Sequence, residues 1–172
     1  RDSTQLIMAK ISMLFIFSIA FCLTSTLSVA LFCKLFHVGM IYGMTYKIFM
    51  SFIFGVLIVA ASLPIVFLII CFNKSFLLSI LLAFFYSIFN WGILGTVGTS
   101  ISAAKIAFLN SFPVICVMNW TSGLMMDHLQ KDNLLPEAYA IVPTTCHTIF
   151  ILAITVTLSL WLIIRFYKKW TR

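Results

Sequence analysis

Asp127 and His128 are the only adjacent acid and imidazole in the chain, the one pairing that could move a proton by general acid–base chemistry. No nucleophile stands in register with them, and the pair reads as part of a solvated loop. The usual catalytic signatures are missing. No H-E-x-x-H run offers a zinc site and no G-x-S-x-G run a nucleophile elbow, while His37, His128 and His147 are scattered without metal-ligand spacing. A G-x-x-x-x-G-K-[ST] loop is also missing, so the chain has no glycine cradle for nucleotide phosphates and any ATP-driven work takes its energy from elsewhere. An intramembrane enzyme therefore lacks a catalytic pair.

What remains are mildly polar groups inside apolar runs. Asn90 stands beside Trp91, a second set comprises Thr24, Ser25, Thr26 and Ser28, and a third comprises Thr155, Thr157 and Ser159. Such groups either bond between helices, each bond contributing about 0.6 kcal/mol in a bilayer, or line a substrate path. For a path the candidates are Asn90, Trp91, Thr155 and Ser159. The aromatic cluster Phe84, Phe85, Tyr86, Phe89 and Trp91 reads as packing or lipid contact. Asp2, Asp127, Asp132 and Glu137 all lie outside the apolar cores. That placement argues against self-powered ion coupling, which keeps a costly acid within a span.

These groups need helices in a membrane to hold them. Hydrophobic residues make up 63% of the 172 and charged residues 9%, far from the roughly 45–50% apolar content of soluble domains. Several apolar runs exceed the roughly 18 residues that mark a spanning helix. The expected fold is all-α: a polytopic transmembrane helix bundle forming one domain, with four full spans at about 11–32, 48–72, 76–94 and 148–166. Pro64 removes a backbone donor within the second span and predicts a kink there. Asn73, Lys74 and Ser75 predict a tight turn, and Gly92, Gly95 and Gly98 loosen the end of the third span. Between about 101 and 144 lie two shorter apolar stretches, Ile101–Phe112 and Val114–Met126, broken by Lys105, Asn110 and Pro113. Their length predicts an outer re-entrant or interfacial hairpin, marked by Pro113 and Pro143.

Charge orients the bundle. With four spans, Arg1, Lys10, Lys74, Arg165, Lys168, Lys169 and Arg172 share one face, against Lys34, Lys47, Lys105 and Lys131 on the other. The positive-inside rule makes the first face, with both ends of the chain, cytoplasmic at the plasma membrane. A fifth span would either export the basic tail or weaken this asymmetry. The net charge of +7 is accounted for by anionic lipid at membrane exits and calls for no nucleic acid. Cys22, Cys33 and Cys71 sit in or beside apolar runs as small hydrophobes, whereas Cys116 and Cys146 fall in the outer part and are open to pairing without a spacing pattern that asks for it. Asn119-Trp120-Thr121 fits the N-glycosylation pattern.

Several stretches resemble the membrane subunit of a type-2 ATP-binding-cassette exporter, in the lantibiotic-immunity and bacitracin-export branch. The opening from Arg1 to Lys10 resembles that family's amphipathic connection before the third of six spans. Ala61-Ser62-Leu63-Pro64-Ile65 resembles the SLPL run of its fourth span. Phe72 to Phe76 and Ser87 to Trp91 resemble its next turn and fifth span, and Tyr139 to Pro143 the YIP run before the last.

The resemblance implies that the chain is the C-terminal part of a longer six-span subunit, in keeping with Arg1 at its first position. It implies a second permease subunit and a separate ATPase subunit that uses ATP, this chain binding no cofactor itself. It places the ATPase against the stretch that holds Arg1, Asp2, Gln5 and Lys10. The cargo it implies is a peptide antibiotic or another amphipathic compound. A membrane scaffold or sensor subunit that transports nothing is the competing reading, since small residues and aromatics suffice for it.

Overall fold

The computed structural model describes residues 3–37, 43–72, 75–95, 102–129 and 141–170. Among these residues every regular element is a helix: α1 Ser3–Leu35, α2 Met44–Cys71, α3 Phe76–Gly95, α4 Ala103–Leu109, α5 Pro113–Leu129 and α6 Thr145–Trp170. The opening stretch is no separate connection. From Ser3 onward it forms the first turns of α1, whose 33 residues contain neither glycine nor proline and run unbroken. At about 50 Å, α1 outreaches the roughly 30 Å hydrocarbon core of a bilayer.

Each helix boundary has a local cause. Gly43 takes a left-handed conformation (φ 62°) at the entry of α2, a backbone state glycine adopts without steric cost. Ser75 opens α3, its hydroxyl accepting from the Leu78 N–H at 3.4 Å. Pro113 stands first in α5, where its missing N–H costs nothing. Thr144 caps α6, its Oγ1 accepting from the His147 N–H at 3.3 Å.

Three helices are long and apolar enough to cross a membrane over their described residues: Gln5–Leu35, Met44–Cys71 and Thr145–Phe166. In α3 the described apolar stretch is Leu77–Asn90, so three of the four expected spans meet that measure. Gly98 and the basic tail from Thr171 onward lie outside the described residues, as do Asn73, Lys74 and the polar stretch Lys131 to Glu137.

α2 is the hub, packing on α1, α3, α5 and α6. At one end of the bundle Ile7, Ile11, Leu63 and Ile163 bring α1, α2 and α6 into a closed cluster, extended by an edge-on Phe67–Phe166 contact at 5.3 Å. A second cluster joins Ala61 of α2 to Val114 and Val117 of α5 and Leu152 of α6. α2 runs unbroken through Pro64, which deprives the Ala60 carbonyl of its intrahelical N–H. Outward-facing residues are large and apolar, Phe17, Phe21, Leu77, Phe84 and Trp161 among them. An apolar surface so extensive belongs against lipid.

The tightest approach is at Gly55. A Cβ there would lie 2.9 Å from Ile19 Cα and 3.3 Å from the Ser18 carbonyl oxygen, both backbone atoms that cannot step aside. Replacing Gly55 with leucine should separate α1 from α2 at a cost of about 1–3 kcal/mol. Thermal unfolding in detergent should show a lower Tm for Gly55→Leu, while leucine at the exposed Phe85 leaves it unchanged. Equal Tm values would rule out this contact as a determinant of stability.

Candidate functional site

The end of the bundle opposite the Ile7–Ile163 cluster is open. There α1, α2 and α5 border two adjoining cavities of ≈ 340 and ≈ 240 Å³, which share Ser25, Thr26, Ser51 and Met125. Phe21, Phe54 and Met118 line the deeper part, Val29, Cys33, Met44 and Lys47 the shallower. Hydroxyls, thioethers and aromatic rings therefore alternate along one groove, and among the described residues Lys47 is the only cation in its lining.

The hydroxyls are arranged by helix geometry. Thr26 Oγ1 reaches the Cys22 carbonyl at 3.0 Å, Ser51 Oγ reaches the Lys47 carbonyl at 2.8 Å, and the two hydroxyls meet across the α1–α2 interface. Each hydroxyl has one proton, so two protons serve three contacts. One position is always an open acceptor, which a polar group entering the groove can use. Thr121, on the α5 wall, bonds the Val117 carbonyl at 2.8 Å.

A polar latch holds the α5 wall in place. Asn110 Nδ2 donates to the Ile141 carbonyl at 3.0 Å, Asn119 Nδ2 donates to Asn110 Oδ1 at 2.9 Å, and His147 Nε2 lies 3.4 Å from the Asn110 carbonyl. Further along α5, the Cys116 thiol meets Thr148 Oγ1 at 3.6 Å and Trp120 Nε1 donates to Thr145 Oγ1 at 3.1 Å. These pairs advance on α5 as they retreat on α6, so the two segments are antiparallel. All five cysteines are free, Cys116 buried and Cys146 exposed. The Asn119-Trp120-Thr121 run lies within helix α5 with Asn119 engaged and Thr121 buried, unlike the exposed loop an N-glycan acceptor needs.

The candidate path residues are dispersed. Asn90 is buried and donates to the Tyr86 carbonyl of its own helix at 2.8 Å. It lines a separate cavity of ≈ 350 Å³ with Ser62, Tyr86 and Ser87, where the Tyr86 hydroxyl stands 3.5 Å from the Ala61 carbonyl. Thr155 donates to the Ile151 carbonyl at 2.7 Å and Ser159 is buried in α6; neither lines the groove. The side chain of Trp91 lies outside the described residues, as do Arg1, Asp2 and the side chains of Asp127 and His128. Gln5 and Lys10 are exposed on α1. Pro113 opens α5, and Pro143 is buried in the extended lead-in to α6.

Interhelical bonding, expected of the span hydroxyls, is the exception. Thr24, Thr155 and Thr157 bond carbonyls of their own helices, because an i−4 carbonyl is within reach of any helical serine or threonine. Only Thr26 among them reaches a side chain on another helix, Ser51. Sequence reasoning passed over Ser51, Thr121, Ser122, Met118 and Met125. A signal was present for the first: Lys47, Ser51, Gly55 and Val59 repeat every four residues along one face of α2.

The family model described as ABC-2 family transporter protein matches residues 1–90, covering α1, α2 and most of α3. No curated protein and no solved structure matches the chain.

Two substitutions test the geometry. Asn110→Ala should strand the Asn119 amide and the Ile141 carbonyl, lowering stability by about 1–3 kcal/mol in detergent unfolding. A double-mutant cycle on Thr26→Val and Ser51→Ala should give a coupling of about 0.6 kcal/mol. A coupling of zero would mean that the two hydroxyls do not share a proton.

Proposed function

Because the chain belongs to the ABC-2 transporter family, we propose that its groove carries amphipathic compounds, peptide antibiotics among them, out of the cell. The family supports its reading as a multi-pass membrane permease subunit of an ABC exporter, a transporter component that is not itself catalytic. The observation that favours amphipathic cargo is the groove lining, where Ser25, Thr26, Ser51 and Thr121 alternate with Phe21, Phe54, Met118 and Met125. Such a surface can satisfy scattered polar groups on a largely apolar molecule.

In this reading α3, whose 20 residues span about 30 Å, is the fourth crossing. The α4–α5 hairpin is re-entrant. Tyr46 Oη donates to the Leu124 carbonyl near the start of α2, whereas Val114 packs at Ala61, past the middle of α2. With both ends of the chain cytoplasmic, the closed Ile7–Ile163 end faces the cytoplasm and the groove faces outward. A separate ATPase then docks beside Gln5 and Lys10, a second permease subunit completes the transporter, and ATP favours one arrangement of the helices over the other. Asn90 lines a second, inner stretch of the path, and Thr155 and Ser159 line it once the helices rearrange.

The test is protection of cells. Coexpression of the full permease with a P-loop ATPase encoded beside it should raise the concentration of a lantibiotic or bacitracin needed to stop growth, and Ser51→Phe in the groove should abolish the rise. A phosphate-loop lysine mutant of the ATPase that protects equally well would refute ATP-driven export.

A further inference from the structure

We propose that the groove between α1, α2 and α5 is a site for one anionic lipid drawn sideways from the surrounding leaflet, its head group at Lys47 and its tail along the deeper wall. Three observations place the ligand. The groove runs along α1 from Phe21 to Cys33, twelve residues or about 18 Å. One leaflet of a roughly 30 Å hydrocarbon core is about 15 Å deep, so a lipid tail fits its length. Phe21, Ser25 and Val29 on the α1 wall are exposed, which leaves the groove open on its flank to molecules already dissolved in the bilayer.

Polarity sets the direction. The deeper part offers Phe21, Phe54 and Met118, whereas the half-buried Lys47 stands at the shallow end in the first turn of α2, near where α1 finishes at Leu35. An ammonium held at that depth favours a phosphate or carboxylate head group over a cationic one, and the Thr26–Ser51 pair offers its open acceptor to a hydroxyl of the lipid. That such a lipid is cargo rests on reading the groove as the export path; the site itself rests on the lining.

Binding can be measured on the full permease with its ATPase in phosphatidylcholine nanodiscs, using fluorescent lysophosphatidylglycerol and fluorescent lysophosphatidylcholine as probes. The anionic probe should bind more tightly. Lys47→Gln should weaken it by about tenfold, the worth of one charge-assisted contact, and leave the choline probe unaffected, while Lys34→Gln, which is exposed and outside the lining, changes neither. Unaltered preference in Lys47→Gln, or an equal loss in Lys34→Gln, would overturn the site. A preference that depends on Lys47 without any rise in ATP turnover on adding the anionic probe would uphold the site and remove the export path. Stimulated turnover without charge preference would do the reverse.

Discussion

A bilayer supplies no water to take up a stray backbone N–H or carbonyl, and the rest of this structure follows from that shortage. Helices satisfy their backbones internally, and the hydroxyls carried along them fold back on the nearest carbonyl, as at Ser12, Thr24, Ser87 and Thr157. Where helical bonding fails, a named group stands in. Asn110 serves the Ile141 carbonyl, and Thr144 caps α6. Among the described residues no buried side-chain nitrogen or oxygen lacks a partner.

The same solvent removes the usual reason for helices to associate, since lipid tails are as apolar as leucine. Close van der Waals approach has to do the work, and small residues allow it. Gly55 brings α2 against the α1 backbone, fully buried Ala61 seats α5 and α6, and Gly123 meets Val142, whose methyls stand where a Cβ would be.

The helices themselves were legible in the sequence, because a run such as Ile48 to Cys71 with one proline and one glycine admits no other structure in lipid. Most ends lie within four residues of those expected, the caps at Gly43 and Thr144 being invisible to hydropathy, but α1 begins at Ser3, eight residues before the expected 11, because helix continues through the polar stretch that holds Gln5 and Lys10. Among the described residues, the break between α4 and α5 was also readable, from Pro113. The groove was not. A hydropathy profile ranks Asn90 above Ser51 as a polar intruder, yet the pocket forms between three helices, and its lining joins side chains 25 to 99 positions apart, such as Thr26, Ser51 and Met125. The single face Lys47-Ser51-Gly55 carried that information only when read at helical spacing.

The Asn110 latch has a consequence for biogenesis. α4 and α5 leave the ribosome before the segment that satisfies them, because Ile141, Thr145, His147 and Thr148 all come later in the chain. Until that segment is made, the Asn110 amide and the Cys116 and Trp120 side chains lack these partners. The α5 wall of the groove is therefore braced only after α6 has been made, so its closure is a late, long-range step rather than a local one.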